Sequence, residues 1–70
     1  MMPLTLAKTG EVNYIQKITG RDEVRQHLAE LGFVVEEPVT VVSAIAGNLI
    51  LKVKDSRIAL DKEMACRIMI

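Results

Sequence analysis

One glycine marks where helix gives way to sheet in this chain, and no other feature constrains the fold as tightly. Residues Arg21 to Phe33 read RDEVRQHLAELGF. Val24, Leu28 and Leu31 fall at i, i+4 and i+7, one stripe of a helix with a period of 3.6 residues, while Asp22, Glu23, Arg25, Gln26 and Glu30 take the other positions. Thr19 stands three residues ahead of Asp22 as a capping pair, and Asp22 and Glu23 suit the positive end of the helix dipole. Gly32 stops the helix because it enters the left-handed region at no steric cost. A helix of about 11 residues is unstable alone, and burying each stripe residue contributes roughly 1.5 to 3 kcal/mol. The stripe must dock, and the apolar, β-branched sequence beyond Gly32 supplies a sheet to dock on.

The rest of the chain divides into short strands. Leu4 to Ala7 reads as a strand, Lys8 to Gly10 as a turn, and Val12 to Ile18 as a second strand. Pro38 lacks a donor and restricts Glu37, so a strand begins there and runs to Ala46, with Val39, Val41, Ser43 and Ile45 on one face. Gly47-Asn48 is a two-residue hairpin signal, followed by Leu49 to Lys54, in which Leu49, Leu51 and Val53 oppose Ile50, Lys52 and Lys54. Asp55-Ser56 forms another turn, Arg57 to Leu60 a strand, Asp61 to Ala65 a helical turn capped by Asp61, and Cys66 to Ile70 a closing strand. Five or six short strands with a helix after the second curl into a small barrel filled with Val, Ile and Leu, so the fold class is mainly β.

Seventy residues make one domain, 1–70, which buries only about 60% of its unfolded surface. Cys66 is the sole cysteine, which excludes an internal disulfide and fits a reducing compartment; the expected location is cytoplasmic. MMPLTLAKTG lacks the features of a signal peptide, and no apolar run approaches the roughly 20 residues that span a bilayer, so no direct membrane insertion is expected. Nine basic and nine acidic residues cancel, which argues against nucleic acid as a partner. Half the residues are apolar, yet Tyr14 and Phe33 are the only aromatics. Some aliphatic side chains must therefore stay outside so small a core, and an exposed apolar patch marks a partner surface or, as the plainer alternative, an aggregation hazard.

No constellation of reactive groups emerges. His27 and Cys66 are too few for a zinc or iron site, and they read better as a polar helix residue and a small buried hydrophobe. Glu36-Glu37 reads as a solvated corner, since calcium or magnesium needs six or more oxygens. The glycines are scattered punctuation rather than a phosphate loop, and Ser43 and Ser56 have only His27 as an imidazole partner. The expectation is no catalytic residue, no cofactor and no metal ligand set. Lys52 and Lys54 share a strand face with Arg57 just beyond the turn, a cluster that reads as protection of an edge strand more readily than as a phosphate site.

Several segments together resemble the FeoA family, small cytoplasmic proteins of bacterial ferrous iron transport whose domain also ends iron-dependent repressors. The likeness lies in Gly10-Glu11 followed by Tyr14-Ile15, in Leu28-Ala29-Glu30-Leu31-Gly32-Phe33, in Pro38 to Val42, in Ile58-Ala59-Leu60, and in Ala65 with Ile68-Met69-Ile70. The leucine-x-x-leucine-glycine ending of the helix is its most specific piece. Where the family often carries proline-glycine after the helix, this chain has Val35-Glu36, which requires another backbone conformation or strain, because glutamate resists positive φ. Asp61 replaces a residue that is usually basic.

The resemblance implies an SH3-like small barrel without enzymatic activity. It further implies an adaptor that regulates ferrous iron uptake by binding FeoB, a membrane permease with a cytoplasmic GTP-binding domain. On that reading Leu28, Leu31 and Phe33 are apolar anchors for the partner, with His27 and Glu30 at the rim, although the core competes for both leucines. Two rivals stand beside it. One is a metal-binding or peptide-binding module linked to iron-dependent transcription. The other is an iron carrier using His27, Cys66 and Glu36-Glu37, with ligands shared between copies in a homo-oligomer.

Overall fold

A computed structural model describes residues 1–70. The elements, in chain order, are a 3₁₀ turn at Leu4–Leu6, β1 (Val12–Tyr14), β2 (Lys17–Ile18), α1 (Asp22–Glu30), β3 (Pro38–Ile45), β4 (Asn48–Val53), β5 (Ser56–Asp61), α2 (Lys62–Ala65) and β6 (Ile68–Met69). An antiparallel four-stranded sheet has the order β1-β3-β4-β5, and β2 pairs with β6 in a second, two-stranded sheet. Leu4, Ile15, Leu28, Phe33, Leu51 and Ile68 are the largest of the side chains that meet in a single core between the sheets and α1.

The single strand expected over Val12 to Ile18 is two strands with a corner between them. At the corner Ile15, itself buried, donates its N–H to the Glu37 carbonyl (3.0 Å) and accepts from the Glu36 N–H (2.7 Å). One residue later the Gln16 N–H donates to the Met69 carbonyl (2.7 Å), so the chain leaves β3 and joins β6. A continuous apolar run can serve two sheets in this way because each short stretch finds a separate partner for its backbone groups. Leu4 to Ala7 is not a strand either. Only Pro3 bridges to Met69, after which Leu6 and Ala7 donate back to Pro3 and Leu4 in a 3₁₀ turn that drives Leu4 into the core. Ahead of it, Met2 and Ile70 exchange two backbone hydrogen bonds (2.9 and 2.8 Å).

α1 ends as the sequence indicates. Phe33 N–H reaches the Leu28 carbonyl (2.9 Å) and Gly32 N–H the Ala29 carbonyl (3.0 Å), the paired bonds of a Schellman motif, with Gly32 at φ 108°. Leu28 and Phe33, the apolar pair such a motif brings together, are both fully buried, and Val24 and Leu31 pack against the same core. The start differs from expectation. Arg21 holds the N-cap position without a side-chain bond, because the Thr19 hydroxyl is turned instead to the Arg67 carbonyl (3.1 Å).

Both hairpin turns lie one residue earlier than the turn dipeptides suggest. Ile45 pairs with Asn48, leaving Ala46 (φ 51°) and Gly47 (φ 83°) as the turn, and Val53 pairs with Ser56 around Lys54 (φ 53°) and Asp55. In the first turn both central residues hold positive φ, as a primed turn that matches the twist of the strands requires, and this fixes the register even though alanine must adopt that conformation; in the second only Lys54 does. A bulge between Val41 and Ser43 reverses the alternation along β3: Ala44 opposes the buried Leu49, and Ile45, expected inside with Val39 and Val41, faces solvent. Asp61 caps α2 through a bond from Met64 N–H to its carboxylate (2.8 Å). Cys66 is the C-cap of α2 rather than part of the last strand; it is half-buried, and its thiol donates to the Glu63 carbonyl (2.9 Å).

Candidate functional site

An open groove of ≈ 600 Å³ runs along α1. One wall is the segment Gln16 to Ile18, the other is the helix face of Arg25, Gln26 and Ala29, and Val34 and Val35 close the end. Those two valines are 38% and 55% exposed, an apolar step placed just beyond the stop of the helix. They belong to a tight turn, Val34 to Glu37, closed by Glu37 N–H to the Val34 carbonyl (3.1 Å). Glu36 stands third in that turn with φ 74°, a place that ordinarily requires glycine. Of the two outcomes open to a chain with Val35-Glu36 there, the protein adopts strain. Bonds from both sides of Ile15 hold the conformation, and strain of this kind, on the order of 1 kcal/mol, persists where the surroundings over-determine it.

The five side chains expected to grip a partner separate into three environments. Leu28 and Phe33 are fully buried and fix the end of α1 from inside, so neither protrudes as an anchor, although Phe33 is among the residues that line the groove. Leu31 is partly buried against the core. His27 and Glu30 are exposed, and neither lines the groove itself. Val34 and Val35, which the alternation and capping rules leave unassigned, are the apolar residues that protrude at the groove. Two successive β-branched residues between a helix stop and Glu-Glu-Pro are the signal for them, since a turn there cannot bury both.

The reactive residues stay apart. His27 lies on α1, Cys66 at the end of α2 and Glu36-Glu37 in the turn, and no group of three His, Cys, Asp or Glu side chains converges where one ion could reach them all. The chain has two ion pairs, Asp22–Arg25 within α1 (2.6 Å) and Lys54–Glu37 between β4's end and the strained turn (3.0 Å). No helix is long and apolar enough to cross a membrane.

Residues 2–70 match the FeoA domain family. The chain belongs to the FeoA family. A relative from Methanocaldococcus jannaschii, assigned the name Fe(2+) transport protein A, is 31% identical over 70 residues, covering all of this chain and 85% of its own length. The crystal structure of the zinc complex of Stenotrophomonas maltophilia FeoA, described as a prokaryotic SH3 domain protein, superposes with a TM-score of 0.86 at 25% identity, over 99% of this chain and 88% of that one. A manganese-dependent transcriptional repressor shares the fold alone, with a TM-score of 0.85 at 16% identity over 94% of this chain and 38% of its own. The architecture of this FeoA-family chain is thus the SH3-like small barrel that its sequence resemblance implied, and the family is one of ferrous iron transport.

Proposed function

We propose that this chain is a noncatalytic cytoplasmic adaptor of ferrous iron uptake, which binds a cytoplasmic part of a FeoB-like transporter and biases it toward one conformation. A small partner can alter a transport or nucleotide cycle only by binding two states with different affinity, so its equipment is a rigid, selective surface rather than reactive groups. The observation that carries the reading is the exposed Val34-Val35 step at the mouth of the α1 groove, held by the strained turn. Leu31, His27 and Glu30 in the last helical turn supply the rim, and buried Leu28 and Phe33 keep it rigid. Membership in the FeoA family and the iron transport names of its relatives support the choice of partner.

The test is capture of the transporter's soluble cytoplasmic domain by this protein and by its Val35→Asp variant. Val35 is more than half exposed, so the variant keeps its fold by circular dichroism, while an apolar contact at the centre of an interface costs 1 to 2 kcal/mol, about a tenfold weakening. Equal capture by both proteins places the contact elsewhere. Failure of the unaltered protein to bind the domain, with or without guanine nucleotide, removes the adaptor reading.

A further inference from the structure

The outer face of the four-stranded sheet carries a second surface, none of whose residues lines the α1 groove. Four side chains stand in direct register across it. Val12 on β1 faces Thr40 on β3, Thr40 faces Lys52 on β4, and Lys52 faces Arg57 on β5. Val12 and its strand neighbour Tyr14 are 56% and 58% exposed, giving the row an apolar end, and a shallow cleft of ≈ 250 Å³ lies between Val12, Pro38, Thr40, Lys52 and Lys54.

The basic end of the row costs stability. Like charges directly opposite one another on a sheet face repel, and neither Lys52 nor Arg57 has a carboxylate partner, since Lys54 alone of the three engages one, Glu37. Protection of an edge does not account for Lys52 on β4 or Lys54 in the turn that follows it: β4 lies inside the sheet, between β3 and β5, where strand-to-strand pairing with another chain is already blocked. In a chain of zero net charge the pair is a local feature rather than part of a general positive field. A negative group supplied from outside would relieve it.

We propose that this face binds a short, extended acidic segment of a partner protein, with an apolar residue against Val12 and Tyr14 and carboxylates over Lys52 and Arg57. At about 4.8 Å between strands the row is about 14 Å long, the span of about four extended residues. Polynucleotide is the poorer fit, because two unpaired cations and a single tyrosine provide few phosphate contacts and one stacking platform. The occupant is a different contact from the transporter docking at the α1 end, so either reading stands if the other fails.

The experiment is a titration of the ¹⁵N-labelled full chain with a capped peptide of one leucine, one serine and three glutamates. A glutamine counterpart of the peptide and a single-stranded oligouridylate run in parallel. Expected are shifts confined to Val12 to Tyr14, Thr40, Lys52, Lys54 and Arg57, with affinity in the sub-millimolar range that falls as salt is added and is absent for the glutamine peptide. The Arg57→Glu variant converts the repulsive pair into an attractive one, so its thermal midpoint should rise while peptide affinity drops by about tenfold or more, the size of one or two lost charge contacts. The opposite signs separate a binding surface from a structural one. Shifts centred on other residues, equal binding of the glutamine peptide, unchanged affinity in Arg57→Glu, no binding at millimolar peptide, or tighter binding of the oligouridylate at the same residues would each overturn the proposal.

Discussion

Gly32 and Glu36 lie on either side of the exposed valine pair, and both hold positive φ, at 108° and 74°. Gly32 is where local preference and global fold agree: the helix must stop, glycine reaches the required conformation freely, and Leu28 and Phe33 close over the motif in the core. At Glu36 they disagree, because the turn needs a glycine-like residue and the sequence provides a carboxylate. The first position belongs to a fold that would form in any case. The second belongs to the exposed step that we propose as the partner face, and such conflicts concentrate where structure is bent toward function.

Three substitutions test the contrast, in falling order of expected effect. Phe33→Ala removes the aromatic half of the buried pair and should destabilise the protein by about 3 to 5 kcal/mol, enough to unfold a domain of this size in a denaturant titration. A loss below about 1 kcal/mol would mean that the helix end is not held from inside. Gly32→Ala comes next, with an expected cost of about 1 to 2 kcal/mol. Its cause is conformational rather than steric, since an added Cβ would meet only ordinary contacts, 3.5 Å from the Lys54 side chain and 3.7 Å from Val53. The Cα chemical shifts of Leu31 to Phe33 should report the altered turn. Glu36→Gly has the smallest effect and the reverse sign: relief of backbone strain, partly offset by the entropy of glycine in the unfolded chain, should stabilise by about 0.5 kcal/mol. A destabilisation there would show that the glutamate conformation is not strained and would erase the contrast with Gly32.

The sequence was legible where local chemistry decides structure. The stripe Val24-Leu28-Leu31, the stop at Gly32, the cap at Asp61 and the alternation of β4 each depend on residues within a few positions of one another, and each is found in the fold. It was opaque where a distant partner decides. Nothing near Ile15 announces that the strand changes sheets there, because the change follows from Glu36, Glu37 and Met69 arriving from elsewhere in the chain. Thr19 is a good capping residue by neighbourhood, yet Arg67 claims it. The bulge after Val41 likewise arises from pairing, and it decides that Ile45 faces water. At the candidate site, Phe33 could be read as core or interface from its position alone, and only the closed Schellman motif places it inside.

Met2 and Ile70 exchange hydrogen bonds as neighbouring strands do, so the first and last residues of the barrel lie side by side at the edge of β6. Connectivity in this barrel is therefore separable from architecture. A short linker could join the ends and a new opening be cut at the exposed Ala46-Gly47 turn, giving a circularly permuted chain with every strand pairing kept, whereas the same operation in a fold with distant termini would have to span the whole molecule.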